Sequence, residues 1–162
     1  MGPSPSFTTR DFRNAMGIYP TGVAVVTAQA GNDLIGVTVN SLCSVSLDPP
    51  LLSFNLAWKL RSSAVIRSCR MFAVNILRDD QQHLSVRFSG SADDKWKSFA
   101  PATGLTGVPV IESAAAVFEC EHFACHEAGD HVIALGRVLQ LTVAAEARPL
   151  VFYRSSYCRI GP

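Results

Sequence analysis

The chain has 162 residues, close to the length of one domain and well short of two. Hydrophobic residues make up 48% and charged residues 17%, a balance that excludes a disordered chain and allows a core needing no disulfide or zinc staple. Lys and Arg number 14 against 13 Asp and Glu, so no surplus of positive charge is available to grip a phosphate backbone. Nucleic acid is therefore excluded as a broad partner.

Residues 1–10 read as a loose arm, with a short helix signal running from residue 7 to 16. Thr8 or Thr9 can cap it, and Phe12, Ala15 and Met16 fall near one face. Pro20 and Gly22 break the chain before residues 23–28, a β-rich run. Gly31-Asn32-Asp33 predicts a hairpin turn and residues 35–40 the returning strand, in which Gly36 marks a bulge or a close backbone approach. Asp48-Pro49-Pro50 stops any helix before the next strand, residues 51–56. Residues 60–69 have a helical pattern, with Ser62 or Ser63 as cap and Val65, Ile66 and Cys69 as the buried stripe. A strand at 71–77 follows, then shorter helical patterns at 81–88 and 93–99. The last third returns to strands at 115–124, 132–144 and 150–153, with turns at Gly129-Asp130 and Ala147-Arg148-Pro149. Strands outnumber helices and do not alternate with long ones. That predicts a mainly β, antiparallel, barrel-like single domain over 1–162, not a parallel βαβ sheet.

The five cysteines are Cys43, Cys69, Cys120, Cys125 and Cys158. An odd count with no secretory signal at the start argues for free thiols in a reducing, cytoplasmic compartment. No apolar run approaches the ~18 residues of a membrane span, so no membrane association is expected. There is no G-x-G-x-x-G after a strand, no P-loop, no H-E-x-x-H and no G-x-S-x-G. Cys120, His122, Cys125, His126 and His131 have residue types that suit zinc. On an unbroken strand of period two, however, Cys120 and Cys125 point to opposite faces, and no metal site is expected. Cys43 has no evident base nearby and reads as a small buried hydrophobe. Trp58 and Trp96 suit either ring stacking or a core or interface role.

The most informative stretch is residues 36–50. Thr38, Asn40, Ser41, Ser44 and Ser46 put five small hydrogen-bonding side chains between a glycine-bearing strand and the Asp-Pro-Pro stop. Such a segment offers amides and hydroxyls to a flat polar ligand edge or to phosphate oxygens, or satisfies its own backbone. The pattern Gly-x-Thr-x-Asn-Ser, then Ser-Val-Ser-Leu-Asp-Pro-Pro-Leu, resembles the flavin-binding segment of the short-chain flavin reductases, the reductase components of two-component flavin-dependent monooxygenases. The resemblance extends through Tyr19-Pro20-Thr21-Gly22-Val23, Met71-Phe72-Ala73-Val74-Asn75-Ile76-Leu77, Gly129-Asp130-His131-Val132-Ile133 and Pro149-Leu150-Val151-Phe152-Tyr153-Arg154.

The resemblance implies a split β-barrel with Greek-key antiparallel strands and a few short helices. It also implies a homodimer, a flavin groove near the subunit interface, and electron transfer from NADH or NADPH to FMN or FAD. The reduced flavin would pass to a separate monooxygenase. Transferred residue by residue, Thr38, Val39, Asn40, Ser41 and Leu42 with Ser44, Val45 and Ser46 line the isoalloxazine and ribityl chain. Phe54, Asn55 and Leu56 follow the flavin tail, Lys59, Ser62 and Ser63 meet its phosphates, and Arg87 and Phe88 contact a second phosphate or the adenine. His131 lies on the nicotinamide side, as the candidate catalytic residue, with Arg154 and Tyr157 flanking that opening. A flavin-binding carrier, sensor or oxidase of the same fold that does not accept NAD(P)H is the alternative, and a non-enzymatic dimeric interaction domain is a further one.

Overall fold

The computed structural model describes residues 5–90 and 95–161. Helix α1 (Thr9–Met16) starts at a reciprocal cap in which Asp11 N donates to Thr8 Oγ1 and Thr8 N donates to Asp11 Oδ2. It buries none of its side chains, and Phe12 and Met16 are exposed. Strand β1 (Thr21–Gly22) leads into the hairpin of β2 (Ala24–Ala30) and β3 (Asp33–Val39). Gly31 takes φ +59° in the turn, a conformation open to glycine without a Cβ penalty.

Next come β4 (Cys43–Leu47), β5 (Pro50–Ala57), α2 (Arg61–Ser68), β6 (Met71–Ile76) and α3 (Gln82–Ser89). The short β7 (Ala102–Thr103) and β8 (Pro109–Val110) follow, then the long β9 (Ala116–Ala128) and β10 (His131–Val143), and finally β11 (Val151–Tyr153) and β12 (Ser156–Cys158). Seven strands form one antiparallel sheet in the order β3-β2-β6-β9-β10-β5-β4. It curls so that β3 comes up against β5 without pairing to it, which leaves the barrel split on that side.

Alternation along the strands separates two cores. Val26, Val37, Phe54, Phe72, Val74 and Ala134 fill the barrel, with Ile66 of α2 plugging one end. Val25, Ala73, Leu77, Leu84, Phe88, Ile111 and Leu150 form the second core, beneath α3 and the 108–114 segment. Phe54 and Phe72 meet edge to face, ring centroids 5.4 Å apart. Gly36 makes the expected close approach, since a Cβ there would run into the Phe88 ring.

Four local expectations change. Residues 43–47, given no strand in the sequence reading, form the edge strand β4, because β5 supplies a ladder that the Ser-rich sequence does not advertise. Helix α2 is capped at Leu60 with no side-chain hydrogen bond, so neither Ser62 nor Ser63 serves as cap. Of the helix expected at 93–99, residues 93 and 94 lie outside the described residues and 95–98 are turns. The late turn falls at Ala145–Glu146, starting two residues early, and Pro149 instead bridges to Arg78.

Strand β9 is also not continuous in register. Ala124 faces Leu135 and His122 faces Gly136, so Phe123 is an extra residue and a bulge resets the alternation. Cys125 then returns to the side of Cys120, both packing on the barrel core, and its Sγ lies 3.2 Å from His122 Nε2. Among the described residues no three His, Cys, Asp or Glu side chains are grouped to hold a metal ion. Cys43 is exposed, not buried, because β4 is an outer edge. No helix among the described residues is long and apolar enough to cross a membrane.

Candidate active site

The unpaired flank of β3 and the end of β5 enclose a cavity of about 510 Å³. Residues 37–41 line one wall and Asn55, Leu56, Ala57 and Leu60 the other, with Ala128, His131 and Ile133 closing it. Pairing places His131 there: on β10 it faces Ala57 of β5 and Ala128 of β9, at the mouth of the hairpin whose tip is Gly129-Asp130. Its Nδ1 is 2.6 Å from Asp130 Oδ1. That hydrogen bond, with the attraction of the imidazole behind it, holds the Asp130 carboxyl below its usual range.

Ser41 bends the chain across the cavity. Its Oγ accepts from Asn55 N at 2.9 Å and reaches Asn55 O only at 3.5 Å, so its own hydrogen remains available to a ligand. Asn40 is exposed at the same corner, where a second cavity of about 400 Å³ opens among Tyr19–Ala24 and Asn40–Cys43. The Thr38 hydroxyl is spoken for: it donates to Ser85 O at 2.7 Å, and the Ser85 hydroxyl in turn meets Tyr157 Oη at 2.8 Å. Thr38 therefore offers the cavity backbone groups and a methyl, with only hydroxyl lone pairs besides.

Toward the other end, the first turn of α2 has no side-chain cap and no acidic residue, so the positive end of its dipole meets no carboxylate of its own first turn, while Ser63 N is taken by Leu60 O. Lys59 is exposed just before it, and Lys59 and Ser62 line a further chamber with Lys95 and Trp96. A cavity of mixed polar and apolar lining, edged by Asn40, Ser41, Asn55 and His131 and leading to a helix start without a side-chain cap and with a lysine beside it, has the donors a flavin nucleotide needs. The donor set fits a planar polar ring at one end and an anion at the other.

Of the residues expected at the site, Thr38, Val39, Asn40, Ser41, Asn55, Leu56 and His131 share this cavity; Leu42 lines its neighbour, and Lys59 and Ser62 the far chamber. The others stand elsewhere. Phe54 is fully buried in the barrel, because alternation on β5 turns residues 52, 54 and 56 inward. Phe88 is fully buried between Gly36, Trp96 and Phe99. Ser63 is fully buried too, its hydroxyl without a partner. The Arg87 guanidinium donates to Lys95 O and Lys97 O, bracing the turn instead of facing a ligand. Ser44, Val45 and Ser46 sit on the outer strand β4, and none of them lines a described cavity. Arg154 lies over Tyr153, its centre 5.5 Å from the ring, and Tyr157 packs on Phe152, so both belong to the β11–β12 side. Lys95, Leu60 and Ile133 were not expected. Lys95 follows residues whose sequence reads only as a short helical pattern, and nothing in its composition announces a lysine bent back onto β3.

The flavin reductase like domain matches residues 16–161 of the chain. FMN reductase (NADH) SmoA of Agrobacterium fabrum is 41% identical over 157 residues, covering 94% of this chain and 87% of that protein. The flavin-dependent monooxygenase reductase subunit HsaB of Rhodococcus jostii is 35% identical, covering 94% and 78%. Among solved structures, Streptomyces globisporus NADH:FAD oxidoreductase SgcE6, in complex with NAD and FAD fragments, superposes with TM-score 0.90 at 30% identity over 98% of both chains. With the fold, the groove and the matching segments in agreement, the chain belongs to the flavin reductase like domain family.

Proposed function

We propose that the cavity between β3 and β5 is where this chain, an NAD(P)H-dependent flavin reductase, brings its two ring systems together, and that reduced flavin leaves it for a separate monooxygenase. The observation that supports this most is the shared lining: Asn40, Ser41, Asn55 and His131 converge on one cavity that reaches Leu60 at the start of α2, whose first turn carries no acidic residue. When bound, the flavin supplies the ring nitrogen that accepts the nicotinamide C4 hydride.

The chain's own residues hold and orient. Ala57, Leu60 and Ile133 give the cavity apolar walls that exclude water around the rings. Ser41, fixed by Asn55 N, directs its hydroxyl hydrogen toward charge that would develop on the ring edge. Asp130 accepts from His131 Nδ1–H, which leaves Nε2 as the ring nitrogen to meet the nicotinamide or to deliver a proton. Lys59 and the positive dipole end of α2 would receive the flavin phosphate. No acid–base pair is required for the hydride step, so positioning is the main task.

We further infer a homodimer. Leu139, Leu141 and Val143 on the free half of β10, with Leu47 91% exposed on β4, offer apolar surface beyond what one barrel covers. A cytoplasmic location is part of the same reading. The test of the reductase assignment is NADH oxidation by purified protein with and without added flavin. Flavin-dependent oxidation supports it, and flavin binding without oxidation contradicts it.

A further inference from the structure

Cys125 and His122 do not line the groove, yet a bulge in β9 brings them together. The extra residue, Phe123, turns out to solvent, and His122 Nε2 comes to 3.2 Å from Cys125 Sγ. On an even strand, side chains three residues apart would point to opposite faces. Both residues are half-buried. From α2, Arg67 lies near enough to bear on the Cys125 sulfur, its guanidinium stacked 4.1 Å from the Trp58 ring centre.

A second thiol reaches the same place. Beyond the last ladder pair, Met71 with Glu121, His122 N donates to Arg70 O at 2.9 Å, so the β6–β9 alignment continues past Met71. Cys69 is the next residue, with extended backbone (ψ 146°), and comes alongside residues 123–125. Both cysteines pack against the barrel core. Burial pushes the Cys69 thiol up to about 11, with a smaller push from the Cys125 sulfur. Burial also pushes the Cys125 thiol up, and Arg67 opposes it. Of the two, Cys125 has the cation near it and an imidazole in contact to take its proton.

We propose that Cys125 and Cys69 are a peroxide-responsive pair that closes to a disulfide, with His122 as the base that takes the Cys125 proton. As Cys125 Sγ attacks one peroxide oxygen, the O–O bond breaks, and His122 passes the proton to the departing hydroxide, which leaves as water. Cys69 Sγ then attacks the Cys125 sulfenic acid. The S–S bond forms, the S–O bond breaks, and the hydroxyl leaves with the Cys69 proton as a second water. Each sulfur is oxidised by one electron, and one hydrogen peroxide is reduced to two waters. The oxidant arises when released reduced flavin meets dioxygen before a monooxygenase, giving oxidised flavin and hydrogen peroxide. The bond would join the end of α2 to β9 and so record reduced flavin made in excess.

Treating the reduced protein with hydrogen peroxide and mapping its peptides by mass spectrometry without reductant tests this. A Cys69–Cys125 link is expected to form ahead of oxidation at Cys43, the exposed thiol of β4. Cys69→Ser should leave a sulfenic acid at Cys125 that dimedone traps, and Cys125→Ser should abolish both products. His122→Gln should slow the link at least about tenfold relative to Cys43 oxidation in the same sample. The wild-type map needs no variant, so the pairing is tested even where a variant fails to fold. Oxidation of Cys43 while Cys69 and Cys125 stay free, or a sulfinic acid at Cys125 with no link, overturns the inference. An unchanged rate in folded His122→Gln overturns the role of the base. Added peroxide acts whatever the groove binds, so these outcomes stand apart from the reductase reading. Turnover with NADH and flavin in air should give the same link, and catalase should prevent it. A link with added peroxide but none in turnover overturns reduced flavin as its source.

Discussion

His131 is held at the cavity by two constraints of different origin: the β5–β10–β9 pairing fixes its backbone, and Asp130 fixes its ring. His131→Ala is expected to lower kcat/KM for NADH by about tenfold or more, in the range that loss of positioning or proton delivery produces. Asp130→Asn should do less, because the amide can still accept from Nδ1–H. Stopped-flow reduction at saturating flavin measures both. His131 was named through the Gly-Asp-His segment of the family resemblance, and Asn40, Ser41 and Asn55 through the Gly-x-Thr-x-Asn-Ser segment and the strand after it; composition alone left Asn40 and Ser41 free to satisfy their own backbone. Phe54 and Phe88 were misplaced by reading motif neighbours as ligand neighbours. On a strand, adjacent residues face opposite ways, so an Asn55 at the groove requires a Phe54 in the core. Lys95 was invisible because its role depends on carbonyls at positions 36 and 88, far away in the chain.

Between elements, two buried polar knots fix the 104–111 segment onto the sheet. Asn75 on β6 donates to Val25 O and Thr27 Oγ1 and accepts from Ile111 N, while Thr27 Oγ1 donates to Pro109 O. The knot ties β2, β6 and the 109–111 segment together with nothing left unpaired. Asn75→Leu leaves Ile111 N without an acceptor inside the protein and should cost about 1–3 kcal/mol of stability, measured by urea unfolding. The second knot is Glu119, 4% exposed, which accepts from Leu105 N, Thr106 N and Thr106 Oγ1 and so pins the 104–108 loop. Burial alone would raise its pKa, but the three hydrogen bonds together hold it below the usual glutamate value. A lowered folded-state pKa contributes stability that is present above the unfolded pKa and is lost as pH falls through the folded one. The wild type should therefore lose stability as pH drops below the usual glutamate range of about 4.3, and Glu119→Gln should flatten that part of the profile. The element order was legible because the strands are long, apolar and bounded by turn residues. The Phe123 bulge was not, since a bulge is imposed by the partner strand and leaves no mark in the alternation of a Cys/His-rich stretch.

The whole molecule presents its groove on one side and its uncovered apolar strand surface along β10. Analytical ultracentrifugation is expected to give a dimer. Leu141→Glu, placing a charge in the middle of that surface, should shift the protein toward monomer; a monomeric wild type would contradict the assembly. The barrel was legible as a class from composition and strand spacing, and the family from segments dispersed along nearly the whole chain. What no single segment carries is the closure of β3 against β5, a contact between non-adjacent strands that creates the cavity. Coupling of nicotinamide to flavin in this cavity is tested by following NADH absorbance with purified protein and added FMN or FAD. Oxidation is expected to depend on both protein and flavin and to fall sharply in His131→Ala. NADH consumption that is absent with either flavin, despite measurable flavin binding, would contradict it.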